Sequence, residues 1–353
     1  MKEYRVCRPS PAGPVALAVL VIFLVGHSHG SLADDYQFET STFMRDTTYR
    51  RPEHLAADSD PSGAEAQVNI AWERSHTGKW FIEEQRYGGD AVVGGIAKDD
   101  PITIERGLKI LRWGFEQQQP DGSFNCPDSF HSTSFFVEAA AHACLLLDAS
   151  PSAARYSEAI DWIKPRLLQA ALWMMEPSVE TQGRRGNAPY AHRRYLVAAA
   201  FGETGVLAGD SSLIEHSKDY ILEGLHLQDP SGYNPEKGGY DCSYHAVGLI
   251  YAERYYDIVA AGELKRQLYN MLQKGDAWLA SRVLPDGTID PTGNTRTGEG
   301  QEKSRNGAVK TINYGSTYRS FYRWSLISGD QNYAGLANQV FAGEAIYKRQ
   351  IGK

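Results

Sequence analysis

The chain has 353 residues, a net charge of −7 and 22% charged residues. So acidic a chain argues against general nucleic-acid binding, which needs a basic surface to meet the phosphate backbone. Its length is ample for one large domain with its own core.

The N-terminus comes first. Lys2, Arg5 and Arg8 precede an uncharged apolar run, Val15 to Val25, and Ser31-Leu32-Ala33 supplies small residues before the acids that begin at Asp34. This order reads as a secretory leader over 1–33, cut near Ala33. The run is short of the roughly 20 apolar residues that a spanning helix needs, and no later segment is long and apolar enough. The expected product is therefore secreted or periplasmic, with no membrane attachment after cleavage. Loss of the leader takes away a net charge of +2 and leaves −9. Cys126, Cys144 and Cys242 remain. Export permits a disulfide. Cys126 and Cys242, both in loops before apolar helices, could pair; Cys144 reads as a small core residue. The spacing resembles no zinc site.

Residues 34–63 read as an irregular polar lead-in, and 64–353 as a single helical domain. Ile104, Leu108, Leu111 and Phe115 recur at helical spacing. Ser134 to Leu147 is apolar almost all round. Arg155 to Met175 is amphipathic, with Pro165 marking a break or kink. Tyr195 to Leu207 is again apolar all round, and Ile214, Ile221 and Leu225 mark an amphipathic stripe. Tyr244 to Ala261 is rich in apolar and aromatic residues. Leu264, Leu268, Met271, Trp278 and Leu279 form the next stripe, and Ile312 to Ile327 closes the series.

Helices with one apolar stripe lie on a surface, and helices apolar all round lie between other elements. Their alternation predicts an inner layer of helices surrounded by an outer one. Pro120-Asp121-Gly122-Ser123, Glu176-Pro177-Ser178, Asp229-Pro230-Ser231-Gly232 and Pro285-Asp286-Gly287-Thr288 punctuate it about every 55 residues, the mark of a repeat of helix hairpins. The fold class is therefore all-α. The long polar loops before the inner helices favour an α/α toroid, an incomplete or closed barrel of about five to seven helix pairs, over an open solenoid.

If the inner helices start at one face, the segments before them converge on one cleft. These are Phe130-His131-Ser132-Thr133, Asn187 to Tyr195, Gly239 to His245, and Asp290 to Tyr314 with Asn294, Arg296, Glu299, Glu302, Lys303, Arg305 and Lys310. Asp and Ser at such places are also ordinary N-caps. Capping does not account for His192, Tyr244, His245 or the basic run Arg193-Arg194. Helix starts disfavour cations, so cations there point to an anionic ligand, which Arg meets with a bidentate fork.

The segment Gly239-Tyr240-Asp241-Cys242-Ser243-Tyr244-His245 resembles the inner-helix starts of α/α-toroid polysaccharide lyases, and Gly293-Asn294-Thr295-Arg296-Thr297-Gly298 is similar to a loop of alginate and glucuronan lyases. Asn187 to His192 is similar in kind to the Asn/His pair of such enzymes, although here the two lie five positions apart. The resemblance implies β-elimination on a uronic-acid-containing polysaccharide, an anionic substrate. It assigns Asn187, His192 and Arg296 to the uronate carboxylate, whose neutralisation stabilises the enolate that forms. His245 and Tyr244 are then base and acid in an order left open, with Tyr314 in reserve. His131, Arg193, Arg194, Tyr240, Asp241, Glu299 and Lys310 are the expected substrate-binding residues.

Two other readings stand beside it. A glycoside hydrolase on the same fold would use carboxyl pairs such as Asp241 with Glu299, or Asp121 with Asp241. A non-catalytic glycan-binding protein would use the same cleft without bond cleavage. A terpene-cyclase-like toroid would want an Asp cluster. No phosphate loop, dinucleotide glycine fingerprint or HExxH helix calls for a cofactor or metal. Oligomeric state is left open.

Overall fold

The computed structural model describes residues 80–304 and 307–352. The leader at 1–33, the lead-in at 34–63, the first part of the expected helical domain and Arg305 lie outside the described residues. Those described are all-helical. A short 3₁₀ helix, Ile82–Arg86, leads into α1 (Tyr87–Lys98) and α2 (Pro101–Glu116). Then come α3 (Ser129–Ala149), α4 (Ala153–Met175), α5 (Pro177–Asn187), α6 (His192–Ala208) and α7 (Ser211–Leu227). The remainder is α8 (Cys242–Ile258), α9 (Gly262–Ala280), α10 (Tyr314–Ser328) and α11 (Gln331–Gln350). No described helix is long and apolar enough to cross a membrane.

The alternation of apolar patterns becomes an inner and an outer layer. Helices α3, α6, α8 and α10 pack on one another in chain order, and α1 packs on α3. Each is followed by an outer partner lying on it, so that α1–α2, α3–α4, α6–α7, α8–α9 and α10–α11 are five successive hairpins. Helices α3, α6 and α8 are buried on nearly every side, as residues apolar all round require. Helix α5 is an insertion between the second and third hairpins. Helices α1, α5 and α11 are elements the apolar pattern alone did not single out. In α1 the cause is glycine: α1 and α2 meet so closely that a Cβ on Gly88 would lie 2.8 Å from the Gly107 carbonyl oxygen. Helix α4 runs unbroken through Pro165, so the proline costs one ladder bond without ending the helix.

Three of the four punctuation segments are one structural device. In each, an Asp carboxylate accepts from the backbone N–H and the hydroxyl of the residue two on: Asp121 from Ser123, Asp229 from Ser231, Asp286 from Thr288. The glycine of each turn has φ of +94°, +111° or +82° at Gly122, Gly232 and Gly287. Each turn follows one outer helix and leans on the next, with Gly122, Gly232 and Gly287 against the backbone of Gln169, Lys274 and Gln339. Glu176-Pro177-Ser178 is the exception, because it opens α5 instead of a turn. The cysteines among the described residues, Cys126, Cys144 and Cys242, are all free. Cys242 is buried at the start of α8 with its thiol directed to the Asp290 carbonyl, 3.6 Å away, so it does not pair with Cys126.

Polar side chains of the inner helices meet one another in the interior. Arg254 of α8 holds Glu138 of α3 at 2.6 Å, and His142 of α3 lies 3.3 Å from Glu203 of α6. Ser320 Oγ of α10 lies 3.1 Å from both Glu253 of α8 and Asp276 of α9 and donates its one proton to one of them. Burial drives the Glu253 and Asp276 carboxyls well above their ordinary range, and Asp276 adds to the shift at Glu253 by repulsion. Both therefore favour the neutral form more than an exposed carboxyl does.

Two predictions follow from these features. Gly232→Ala places a side chain in the left-handed region and 2.5 Å from the Lys274 carbonyl oxygen; it should lower the unfolding free energy in urea by about 2 kcal/mol. Gly262→Ala, at φ +56° with open space around it, should cost about 1 kcal/mol, and equal losses would contradict the crowding argument. For the buried carboxyls, a folded pKa above the unfolded value means stability that is complete below about pH 4 and lost as the pH rises through the folded value. The melting temperature should fall as the pH rises above the ordinary carboxylate range, and Glu253→Gln should flatten that slope. A slope unchanged in Glu253→Gln would rule out this pair as its source.

Candidate functional site

The loops that precede α6, α8 and α10 are stitched together at one end of the helix layer. The Ala191 N–H donates to Pro235 O at 3.1 Å and the Lys237 N–H to Pro189 O at 2.8 Å. The Thr295 N–H donates to Tyr240 O at 3.0 Å, and the Asn313 N–H to Ser243 Oγ at 2.9 Å. Asp241 is the knot. Its Oδ1 caps α8 by accepting the Ser243 and Tyr244 N–H groups, and its Oδ2 accepts the Arg296 and Thr297 N–H groups and the Thr297 hydroxyl.

This stitching gathers a compact set of charged and aromatic side chains. His192, the first residue of α6, is buried and places Nδ1 2.7 Å from Glu236 Oε1, and its backbone N–H donates to the same oxygen at 3.1 Å. Arg296 donates from Nη1 to Glu236 Oε2 at 3.0 Å and from Nε to Glu302 Oε2 at 3.2 Å. Its guanidinium carbon lies 3.4 Å from the centre of the Tyr244 ring and 4.4 Å from that of Tyr190. The His192 and Tyr244 rings are 5.0 Å apart. Lys310 donates to Tyr244 Oη at 3.0 Å and to Glu302 Oε2 at 2.6 Å, and Lys237 pairs with Glu302. Four cations, Arg193, Lys237, Arg296 and Lys310, thus face two carboxylates, Glu236 and Glu302, with Asp128 at the rim. The cluster keeps a positive charge inside a chain of net charge −7.

The protonation states follow from these contacts. Burial lowers the His192 pKa below the ordinary histidine value, against the pull of Glu236. Burial pushes the Glu236 carboxyl up, but His192 and Arg296 outweigh it and hold it below the usual carboxylate range. Burial also opposes ionisation of Glu302, yet Lys237, Lys310 and Arg296 bring it down to about 2. Glu236 is then an ionised acceptor, His192 is neutral with Nδ1–H donating to it, and Nε2 carries a lone pair. No described residue bonds to that Nε2. Tyr244 Oη accepts from Lys310. A carboxylate-oriented imidazole beside a phenol is equipped for proton transfer in both directions.

Of the residues singled out in the sequence, His192, Tyr244, Arg296 and Lys310 meet here, with Asn187 and Arg193 alongside. His245 does not belong. It is fully buried beneath the site, its Nδ1 accepts the Asn234 N–H at 3.0 Å, and its Nε2 meets the Gly275 carbonyl at 3.0 Å. With its lone pair on Nδ1 and its Nε2–H both engaged, and burial pushing its pKa down to about 4, it has no open nitrogen for proton transfer. Tyr314 faces the other way: its hydroxyl accepts the Ile289 N–H, its ring lies on Tyr347, and burial pushes it up to about 12. Asp241, with five donors on a fully buried carboxylate, is a brace and not a substrate ligand. Tyr240 bonds the Thr292 carbonyl and packs with Tyr233 and Trp278. Arg194 is tied to Glu223 and to the carbonyls of Asn187, Ala188 and Tyr190. His131 is buried in α3 against Phe135, and Glu299 is exposed. Neither carboxyl pair of a hydrolase is therefore present, since Asp241 is sequestered and Asp121 sits in an exposed turn bonded to Ser123.

Sequence reasoning passed over Glu236 and Lys237 and gave no role to Tyr190 or Glu302. A Glu between proline and glycines, in Asn234-Pro235-Glu236-Lys237-Gly238-Gly239, reads as a solvated loop. Only the return of that loop against Ala191 shows that the carboxylate is buried. No group of three His, Cys, Asp or Glu side chains among the described residues is placed to hold a metal ion.

His245→Ala should remove two buried hydrogen bonds and leave a cavity, lowering the unfolding free energy by about 3 kcal/mol in urea. An unfolding free energy equal to that of the parent protein would contradict the bracing role. In comparisons with known proteins, no family model, no curated protein and no solved structure matches this chain.

Proposed function

We propose that the cluster is the acid–base centre of a secreted polysaccharide lyase that cleaves a uronic-acid-containing polymer, of alginate or glucuronan type, by β-elimination. One observation carries this reading: a neutral His192 held by Glu236, with Nε2 uncommitted, 5.0 Å ring to ring from a Tyr244 phenol within a positively charged cluster. The five hairpins are read as an α/α toroid. The meeting of polar side chains from α3, α6, α8 and α10 in one interior supports a curved inner layer.

The chemistry requires three things. A uronate carboxylate must lose part of its charge before the neighbouring C5 proton becomes acidic, which Arg296 Nη2 and Lys310 supply by electrostatic stabilisation of the developing enolate. A base must take the C5 proton, and His192 Nε2 does so while Glu236 stabilises the imidazolium that forms. An acid must protonate the departing O4, and Tyr244 gives up its Oη proton as the C4–O bond breaks. The electron pair of the C5–H bond becomes the C4–C5 double bond. His192 thus moves from the carboxylate, where the resemblance placed it, to the base, because its Nδ1 is already spent on Glu236.

The test is an ultraviolet absorbance assay of the leader-free protein on alginate, glucuronan, pectate and glycosaminoglycans. An absorbance rise from unsaturated uronate ends is expected on one polymer. His192→Ala and Tyr244→Phe should each cut turnover at least about 100-fold. New reducing ends without absorbance would replace the lyase with a hydrolase. Binding with the polymer recovered intact would replace it with a glycan-binding protein.

A further inference from the structure

Three arginines stand around the site, and they differ in how their charge is met. Arg296 has two carboxylates, Glu236 and Glu302. Arg194 has Glu223 and three backbone carbonyls. Arg193 has neither. Its side chain is only 12% exposed, and the nearest carboxylate, Asp128, is 3.9 Å away and 52% exposed. Its one hydrogen bond is from Nη1 to the neutral side-chain oxygen of Asn187, at 2.9 Å. Its Nε is buried without a hydrogen-bond partner. Asn187, 2% exposed, has the same deficit: Oδ1 takes Arg193, and Nδ2 is buried with no partner. Burial lowers the pKa of Arg193 against the pull of Asp128, as it lowers that of Arg194 against Glu223, so the geometry of the partners is what separates the two.

Buried donors left unmet, and a buried cation without a close anion, each carry a free-energy cost that folding alone does not recover. Such a cost is kept where a ligand meets it. The two open donors, Arg193 Nε and Asn187 Nδ2, are carried by side chains joined through the Nη1–Oδ1 bond, and both are N–H groups of the kind that carboxylate oxygens accept. The guanidinium also lies 4.3 Å from the centre of the Tyr190 ring, which Arg296 approaches at 4.4 Å. Tyr190 therefore links this position to the His192–Tyr244 pair while keeping it distinct.

We propose that Asn187 and Arg193 form an anion subsite beside the acid–base pair, which takes a carboxylate of a saccharide unit next to the one that reacts. Resting on the proposed lyase reading, it makes the enzyme one for polymers with charges on successive units. Asn187 binds a neighbouring unit instead of the reacting carboxylate.

The subsite is tested with the whole leader-free chain and without turnover. Sodium acetate is the probe, with sodium chloride at equal ionic strength as the reference and sodium sulfate in a separate arm. Acetate should raise the melting temperature of the parent protein, and Arg193→Gln and Asn187→Ala should lose that rise. An acetate rise equal in all three proteins, or absent from the parent, overturns the proposal. A larger rise with sulfate that also depends on Arg193 would overturn the carboxylate assignment in favour of a sulfated saccharide. Without any added anion, Arg193→Gln should melt no lower than the parent, whereas Arg194→Gln, which breaks the Glu223 pair, should melt lower. Equal losses would make Arg193 a structural residue and overturn the subsite. Polymer cleavage enters none of these arms. A lyase reading that fails in the absorbance assay is thereby distinguished from a subsite that fails here.

Discussion

Asp241 is the constraint on which the functional end of the molecule rests. A fully buried carboxylate is tolerable only when its lone pairs are met. Here one oxygen closes the first turn of α8 and the other collects the peptide N–H groups of Arg296 and Thr297. That single side chain therefore fixes both where Tyr244 starts and where Arg296 must lie, although 55 residues of sequence separate Asp241 from Arg296. Asn294 adds to the joint by accepting the Cys242 N–H. The Tyr244–Arg296 stack at 3.4 Å follows from this backbone geometry, and the Glu236 and Glu302 pairs fasten it.

A second constraint is the inner layer itself. Helices surrounded by other helices have no water to satisfy their polar side chains, so each polar residue on them must find a partner or lose its charge. Arg254 finds Glu138, and Glu253 and Asp276 share one serine while burial raises their pKa values. At the N-terminal ends of α6 and α8 the same requirement is met differently. There the polar groups gain partners from neighbouring loops, but with donors and a lone pair left over: His192 Nε2, Arg193 Nε and Asn187 Nδ2. His192 and His245 open consecutive inner helices and are both buried, yet only His245 has both nitrogens spent.

By itself, the sequence determined the layers, since helices apolar all round must be interior and striped helices must lie on a surface. It also determined the recurrent Asp–Gly turns, because a carboxylate two residues before a hydroxyl and a glycine with positive φ form a local motif that needs no distant partner. It pointed to the segments before α6, α8 and α10 as the place where polar residues gather. The tertiary structure alone decided which of those residues share a site. Side-chain partners across 44 to 66 residues, such as His192 with Glu236 at a separation of 44, Arg296 with Glu236 at 60 or Tyr244 with Lys310 at 66, leave no periodic trace in the chain. Glu236 shows the reason most plainly. A glutamate flanked by proline and glycine has the local signature of a solvated loop, and only the packing of that loop against the start of α6 buries it and makes it the residue that orients His192.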